Sequence, residues 1–265
     1  MLGRTTIHAA VAVLAIFFST ALNNRALAAF VNGDFITYPQ EAWDTSASEF
    51  FFANYGTVYA PTFSVEVGIA GSAPQELSIR FTNSVAVLTY LPSIGPDWLV
   101  ADALNPNESE VAGTLGGDIL ALQLDVDFSD AGITPAGFGE LVLHDYPSLT
   151  DLNDMSIREI LAHGNIVLGS GYNYDGFYRD KISALADELT NAFDSGTVSQ
   201  FAQDHLRLPV DMRGDFNQDG TVDAADYVVW RKSLQGLRQT AELYDHWRAT
   251  FGNTTLSSAA QAAVP

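Results

Sequence analysis

The fold of the C-terminal part of the chain is decided by one stretch, Asp215-Phe216-Asn217-Gln218-Asp219-Gly220-Thr221-Val222-Asp223-Ala224-Ala225-Asp226. Asp or Asn stands at positions 1, 3, 5, 9 and 12 of this twelve-residue loop, and glycine stands at position 6. This is the ligand order of an EF-hand calcium loop. The predicted calcium ligands are the side chains of Asp215, Asn217, Asp219, Asp223 and Asp226 and the carbonyl oxygen of Thr221.

Two features around the loop indicate its family. Asp226 stands at position 12, where an EF-hand usually has the longer Glu, and no helix-forming run precedes the loop. The run Tyr227-Val228-Val229-Trp230-Arg231-Lys232 follows it directly. Residues 214–252 therefore resemble a type I dockerin, in particular the form found in secreted planctomycete proteins.

A second copy of the dockerin half is visible only as its helix. Three residues recur at an offset of seventeen: Tyr227 as Tyr244, Trp230 as Trp247, and Arg231 as Arg248. Residues 237–242, which would hold the second calcium loop, are too short and have too few carboxylates. We therefore expect a single Ca²⁺ and two helices that pack through the repeated aromatic positions.

The resemblance also implies a function. Dockerins attach to cohesin-like partner proteins, and the Arg231-Lys232 pair matches the pattern of the family. Loop positions 10 and 11 are Ala224-Ala225, where clostridial relatives contact cohesin through hydroxyls. Dockerins often tether polysaccharide-degrading domains to a scaffold, so a carbohydrate-active hydrolase is an alternative to a non-enzymatic attachment protein. A calcium-dependent adhesin or surface-layer component is a third possibility.

The N-terminus has the pattern of a secretory signal peptide. Arg4 precedes an apolar run over residues 9–18, and Ala26-Leu27-Ala28 is a signal-peptidase site. The run is shorter than the roughly twenty residues that cross a bilayer, so we expect a secreted or cell-surface chain without a membrane span. The tail, residues 253–265, is predicted to be disordered, and its Ala-Val-Pro end resembles the start of a sorting signal.

Composition limits the classes of partner. The formal net charge is −20, and the chain has no cysteine, so no disulfide can stabilise the exported protein. Residues 29–210, called the acidic domain below, have 25 acidic and 5 basic residues, whereas residues 211–252, the C-terminal module, have 7 and 5. A surface this acidic repels phosphate backbones, which argues against a nucleic-acid partner.

Hydrophobic periodicity predicts an α+β fold for the acidic domain, with short antiparallel strands followed by a helical half. Alternating apolar residues predict strands over residues 63–69 and 77–81. Residues 112–127 fit a helix and a strand, and we predict a helix because the run is too long for a typical strand. The other predicted helices cover residues 85–91, 156–168, 180–193 and 197–206. The irregularly spaced aromatics between Phe35 and Phe52 are expected to pack on the sheet, and Pro209 marks the boundary to the module.

The sequence contains no convincing catalytic motif. It has no G-x-S-x-G elbow, no H-E-x-x-H pair and no cysteine nucleophile. His144 has an acidic neighbour, Asp145, but the preferred interpretation is a surface histidine or a core histidine with satisfied hydrogen bonds. Asp125, Asp127 and Asp130 could hold a second calcium, although a solvated helix end is the preferred interpretation. The catalytic residues of a hydrolase thus stay unidentified, and a non-enzymatic protein is favoured.

Overall fold

The computed structural model describes residues 30–253 except residues 72, 74–75, 96–97, 108–110, 210–215, 217–220 and 233–240. The predicted signal peptide and almost all of the predicted disordered tail lie outside the described residues. None of the described helices is long and apolar enough to cross a membrane.

The described residues form an α+β structure, as predicted. The helices are α1 (Gln40–Asp44), α2 (Ser48–Tyr59), α3 (Ser84–Tyr90), α4 (Gly113–Asp130), α5 (Ile157–Gly169), α6 (Gly176–Thr190), α7 (Gln200–His205), α8 (Ala224–Lys232) and α9 (Ala241–Thr250). The strands are β1 (Val65–Gly68), β2 (Ser78–Phe81), β3 (Ala103–Leu104), β4 (Val142–Leu143) and β5 (Leu206–Arg207).

The predicted antiparallel strand pair is confirmed. β1 and β2 pair in a register that places Val65 opposite Phe81, and alternate side chains of both strands enter the core. The short strand β3 adds to β2 in parallel, and β4 pairs with β5 in a separate two-stranded sheet. These three strands, of two residues each, were not predicted because such short pairings leave no periodic pattern.

Helix α4 lies at the centre of the acidic domain. It contacts α1, α5, α6 and β1, and its buried residues lie on all sides. A helix that is buried all round has no polar face, which explains why residues 112–127 fit two periodicities. The prediction of a helix there is confirmed, and α4 continues to Asp130.

Side-chain caps set the starts of the later helices. Ser156 and Glu159 form the predicted capping box at the start of α5. Asp175 accepts a hydrogen bond from the backbone N–H of Tyr178, so α6 begins at Gly176, four residues before the predicted start. Ser199 caps α7 in the same way, which places its start three residues after the predicted one.

The aromatic residues between Phe35 and Phe52 were expected to pack on the sheet, but their main contacts are with α4. Trp43 of α1 and Phe51 of α2 pack on Phe128 of α4, with ring centroids 5.2 and 5.9 Å apart. Tyr38 and Phe50 join the same cluster. The region therefore forms two helices against α4, which the irregular spacing of its aromatics did not reveal.

A pair of glycines lets α1 and α3 approach α4 closely. A Cβ at Gly116 would lie 2.2 Å from the Tyr90 hydroxyl, and one at Gly117 would lie 1.8 Å from Gln40 Oε1. Gln40 is buried, and its Oε1 accepts a 2.9 Å hydrogen bond from the backbone N–H of Ser93. Its Nε2 donates to Asp118 and to the Thr114 carbonyl. Gly117 thus makes room for a side chain that joins α1, α4 and the segment after α3.

We predict that Gly117→Ala destabilises the acidic domain by about 1–3 kcal/mol. The added methyl group displaces Gln40, and the buried N–H of Ser93 loses its partner. Gly176→Ala is the matched control, because a Cβ at that helical position meets nothing within 4 Å. Urea denaturation measures both free energies of unfolding, and equal values for the two variants would contradict the prediction.

Candidate functional site

The structure describes half of the predicted calcium ligands. Thr221, Asp223 and Asp226 are among the described residues, and Asp215, Asn217 and Asp219 lie outside them. The described ligands all supply oxygen atoms, which are the donors that calcium prefers. The site can therefore be assessed from the second half of the loop and from the two helices next to it.

Two carboxylates connect the end of the loop to the start of α8. Asp226 is fully buried in the first turn of the helix, and its Oδ2 accepts a 2.7 Å hydrogen bond from the Asp223 backbone N–H. Asp223 Oδ1 in turn accepts a 2.6 Å bond from the Ala225 backbone N–H. Negative side chains are favourable at a helix N-terminus, because the free N–H groups there carry partial positive charge. The carboxylates at loop positions 9 and 12 are thus held beside one another.

The backbone at loop position 8 is tied to the residues after α9. The Val222 N–H donates to the Asn253 carbonyl, and the Gly252 N–H donates to the Val222 carbonyl, both at 2.7 Å. Val222 itself is fully buried. The end of the second helix therefore supports the loop directly.

The two helices of the module pack through the repeated aromatic positions, as predicted. The centroids of Tyr227 and Trp247 are 5.1 Å apart, and those of Trp230 and Tyr244 are 5.7 Å apart. Trp247 Nε1 also donates a 2.8 Å hydrogen bond to the carbonyl of Asp223. The stripe of aromatic residues thus forms the core of the module and reaches the loop through one indole N–H.

Arg231 lies on the exposed side of α8. Its Nη1 donates a 3.0 Å hydrogen bond to the Tyr227 hydroxyl, and its guanidinium lies 5.8 Å from the centroid of the Tyr227 ring. Val228 and Val229 are partly exposed beside it, at 45% and 36%. The described part of α8 therefore presents apolar and basic surface together.

We predict that Trp247→Phe lowers the stability of the module by about 1 kcal/mol beyond the loss of ring area, because the Asp223 carbonyl loses its hydrogen bond. Near-ultraviolet circular dichroism on heating follows the aromatic core. Phe251→Leu is the control, since Phe251 touches the Trp247 ring and is 54% exposed. If Phe251→Leu lowers the transition temperature as much as Trp247→Phe does, the hydrogen bond of Trp247 does not contribute to stability.

The second acidic cluster of the sequence does not form a solvated helix end. Asp130 is exposed and pairs with Arg158 at 2.8 Å, but Asp125 is only 1% exposed and lies in the core. The preferred interpretation was therefore wrong for Asp125, because α4 continues through this region with core contacts on all sides. The three carboxylates have different partners, and no group of three or more His, Asp or Glu side chains suited to a metal ion occurs in the described part of the chain.

The histidine with an acidic neighbour is mostly buried. His144 has a side-chain exposure of 12%, and its Nδ1 lies 3.2 Å from Asp145 Oδ2. Its Nε2 is buried and has no hydrogen-bond partner among the described residues. A general base must reach the proton that it removes, and this nitrogen does not face solvent. His144 thus lies mostly in the core, but its Nε2 is not satisfied by a hydrogen bond within the described residues, contrary to the expected satisfied core histidine.

The structure contains an acidic pocket that the sequence did not indicate. It has a volume of about 460 Å³, and its lining comprises Gln40, Glu41, Thr114, Asp118, Asp180, Ser183, Ala184 and Asp187. Asp118 is 3% exposed and accepts hydrogen bonds from Gln40 and Ser183. Burial raises the pKa of Asp118 to about 7. Burial is also the largest cause that raises the pKa of Asp187, and repulsion from Glu41 is the second. One signal in the sequence is the carboxylate of Asp118 inside an otherwise apolar run.

Comparison with known proteins gave no match. The chain matches no protein-family model, no curated protein and no solved structure.

Proposed function

We propose that this protein is exported and that its C-terminal module binds one calcium ion and attaches the acidic domain to a protein at the cell exterior. The observation that carries the proposal is the pair Asp223 and Asp226, held side by side at the start of α8. Burying the carboxylate of Asp226 completely is costly unless a cation or several donors compensate it.

The supporting structure around the pair fits a calcium loop. Loop position 8 is held by Gly252 and Asn253, and loop position 9 is held through its carbonyl by Trp247. On the loop side, these contacts use backbone atoms of Val222 and Asp223. The oxygen donors of Thr221, Asp223 and Asp226 are of the type that calcium selects over softer metals.

Calcium would couple ion binding to folding of the module. The loop sequence contains four aspartates, at positions 215, 219, 223 and 226. Carboxylates gathered around one point repel one another, and a divalent cation replaces that repulsion with attraction. Ion binding would therefore stabilise the loop together with the α8–α9 pair that it contacts.

The attachment surface is the exposed side of α8. Val228, Val229 and Arg231 form a patch with an apolar centre and a basic edge, and Ala224 and Ala225 precede it with small side chains. Such a patch fits an apolar partner surface with an acidic rim, and a cohesin-like or another surface protein would supply it. Small residues at loop positions 10 and 11 permit close approach of the partner backbone.

The hydrolase alternative has weaker support. A polysaccharide hydrolase needs two facing carboxylates in a cleft that also binds sugar rings. The pocket at Asp118 supplies carboxylates, and none of its described lining residues is aromatic. Both oxygens of Asp118 already accept hydrogen bonds from neighbouring side chains. Attachment is therefore the function that we propose, and an adhesin or surface-layer component would use the same module.

We predict that the full chain binds one calcium ion with a dissociation constant on the order of 10⁻⁶ to 10⁻³ M. Isothermal titration calorimetry measures the number of ions and the affinity. Replacing Asp215 and Asp219 together by alanine should abolish binding. The matched control replaces Glu49 and Asp204, two exposed helical acids of the acidic domain, by alanine and removes the same charge. Two ions in the wild type, or unchanged binding in the loop variant, would contradict the prediction.

We predict that calcium also controls attachment. Washed cells that carry the protein should release it when calcium is chelated, and the variant lacking Asp215 and Asp219 should be found in the medium. A variant with Val228→Ser and Arg231→Glu should still bind calcium but should not be retained, because only the patch is changed. Retention of this patch variant at the wild-type level would show that α8 is not the attachment surface, even if calcium binding is confirmed.

A further inference from the structure

Three carboxylates of α4 contact one N-terminal segment, residues 37–59, which contains α1 and α2. The pairs are Gln40 Nε2 with Asp118 Oδ1, the Tyr38 backbone N–H with Asp125 Oδ1 at 2.9 Å, and the Tyr59 hydroxyl with Asp127 Oδ2 at 2.9 Å. In each pair the segment donates and the carboxyl group accepts. The carboxylates lie along α4 and contact both ends of the segment.

The three carboxyl groups are withdrawn from water to different degrees. Asp118 is 3% exposed and Asp125 is 1% exposed, whereas Asp127 is partly buried. Asp125 Oδ2 has no hydrogen-bond partner within the described residues. A buried carboxylate with an unsatisfied oxygen is costly when it is ionised, unless a cation lies close to it.

Within the described part of the chain, the charged groups that act on the two most buried carboxyl groups are acids. The charged groups acting on Asp118 are Glu41 of α1 and Asp187 of α6, and Asp194, after α6, acts on Asp125. All three are acids, and so is Asp180 of α6, which also lines the pocket at Asp118.

The basic side chains of the acidic domain are used elsewhere. Arg158 of α5 pairs with Asp130 and Glu140, and only Asp127 among the three carboxylates is affected by it. Arg179 donates hydrogen bonds to the Gly171 and Tyr174 carbonyls, and Lys181 donates one to the Ser148 carbonyl. Arg207 pairs with Asp154, and Arg80 is exposed on β2. Burial and the neighbouring acids favour the neutral form of Asp118 and Asp125, and they outweigh the hydrogen bonds from Gln40, Ser183 and Tyr38, which favour the charged form.

The pKa values agree with this geometry. Burial is the largest cause of each shift, and it raises the pKa of Asp118 to about 7 and that of Asp127 to about 6. Burial raises the pKa of Asp125 well above its usual value. A protonated carboxyl group keeps a carbonyl oxygen that accepts hydrogen bonds, so the three contacts with the segment persist in the neutral form.

We propose that the carboxyl groups of Asp118, Asp125 and Asp127 make residues 37–59 a pH-sensitive latch, which is closed on α4 when they are protonated and opens as they ionise. Opening exposes the three groups to water, where their charged forms are stable. Asp118 lines the acidic pocket, and Asp127 is only partly buried, so these two groups are the ones within reach of solvent.

The direction of the pH dependence follows from proton linkage. The closed state binds protons more tightly than the open state, in which an aspartate titrates near its ordinary value of 3.8. The closed state is therefore fully favoured below about pH 4, and it loses stability as the pH rises through the raised values. For Asp118 the pH range over which the closed state loses stability ends at about pH 7. For each carboxyl group, between its ordinary and its raised pKa, ionisation increases the population of the open state about tenfold for every unit by which the pH rises.

Hydrogen exchange on the full chain between pH 4 and pH 8 tests the latch, with rates converted to protection factors so that the intrinsic pH dependence cancels. Protection of amides in α1 and α2 should fall about tenfold or more per pH unit between pH 4 and pH 7, while amides in α5 keep theirs. Constant protection in α1 and α2, or an equal fall in α5, would overturn the proposal, because the second result means that the whole domain unfolds.

Two isosteric variants identify the groups responsible. Asp118→Asn and Asp125→Asn imitate the neutral carboxyl group. Each should therefore remove one factor of about ten per pH unit from the fall in protection of α1 and α2. Asp204→Asn is the control, since Asp204 is exposed on α7 and is not among the groups that act on the three carboxyl groups. It should leave the profile of α1 and α2 unchanged. A wild-type profile in both the Asp118 and Asp125 variants would overturn the assignment, and the measurement on the wild-type chain stands if a variant fails to fold.

Discussion

Burial of α4 on all of its sides is the constraint on which the acidic domain depends. α1, α5, α6 and β1 are placed by their contacts with this helix, and the aromatic rings of Trp43 and Phe51 meet it at Phe128. Such close packing needs small residues on the helix, and Gly116 and Gly117 leave room for Tyr90 and Gln40. The energetic result is a large buried apolar surface, which compensates for the absence of disulfides.

The second constraint is the scarcity of cations. Twenty-five acidic residues share the acidic domain with five basic ones, so most carboxylates cannot find an ion pair. On the surface this excess is solvated and has little cost. In the core, no described residue gives Asp118 or Asp125 a positive partner, and burial raises the pKa of both groups. In the module, four aspartates lie within one twelve-residue stretch of sequence, and we propose that a calcium ion balances their charge.

Local signals explain which parts of the fold could be predicted. The capping box of Ser156 and Glu159 spans three residues, and the strand pair β1–β2 follows from alternation within short runs, so both could be derived without tertiary information. The aromatic repeat of Tyr227, Trp230, Tyr244 and Trp247 predicted the contact of α8 with α9 for the same reason. Helix α1 was missed because its five residues span little more than one turn. Helix α2 was missed because Phe50, Phe51 and Phe52 stand at consecutive positions and hide its amphipathic pattern.

The sequence by itself determined the order of the proposed calcium ligands, the capping box of α5, the main strands and the overall charge, because each of these depends on residues close together in the chain. Only the tertiary structure decided that Asp118 is buried against Gln40 and Ser183, which are 78 and 65 residues away. It also decided that Asp125 lies in the core whereas Asp130 pairs with Arg158 at the surface. The physical reason is that the cost of ionising a carboxyl group depends on all the atoms that replace water around it, and those atoms come from distant parts of the sequence.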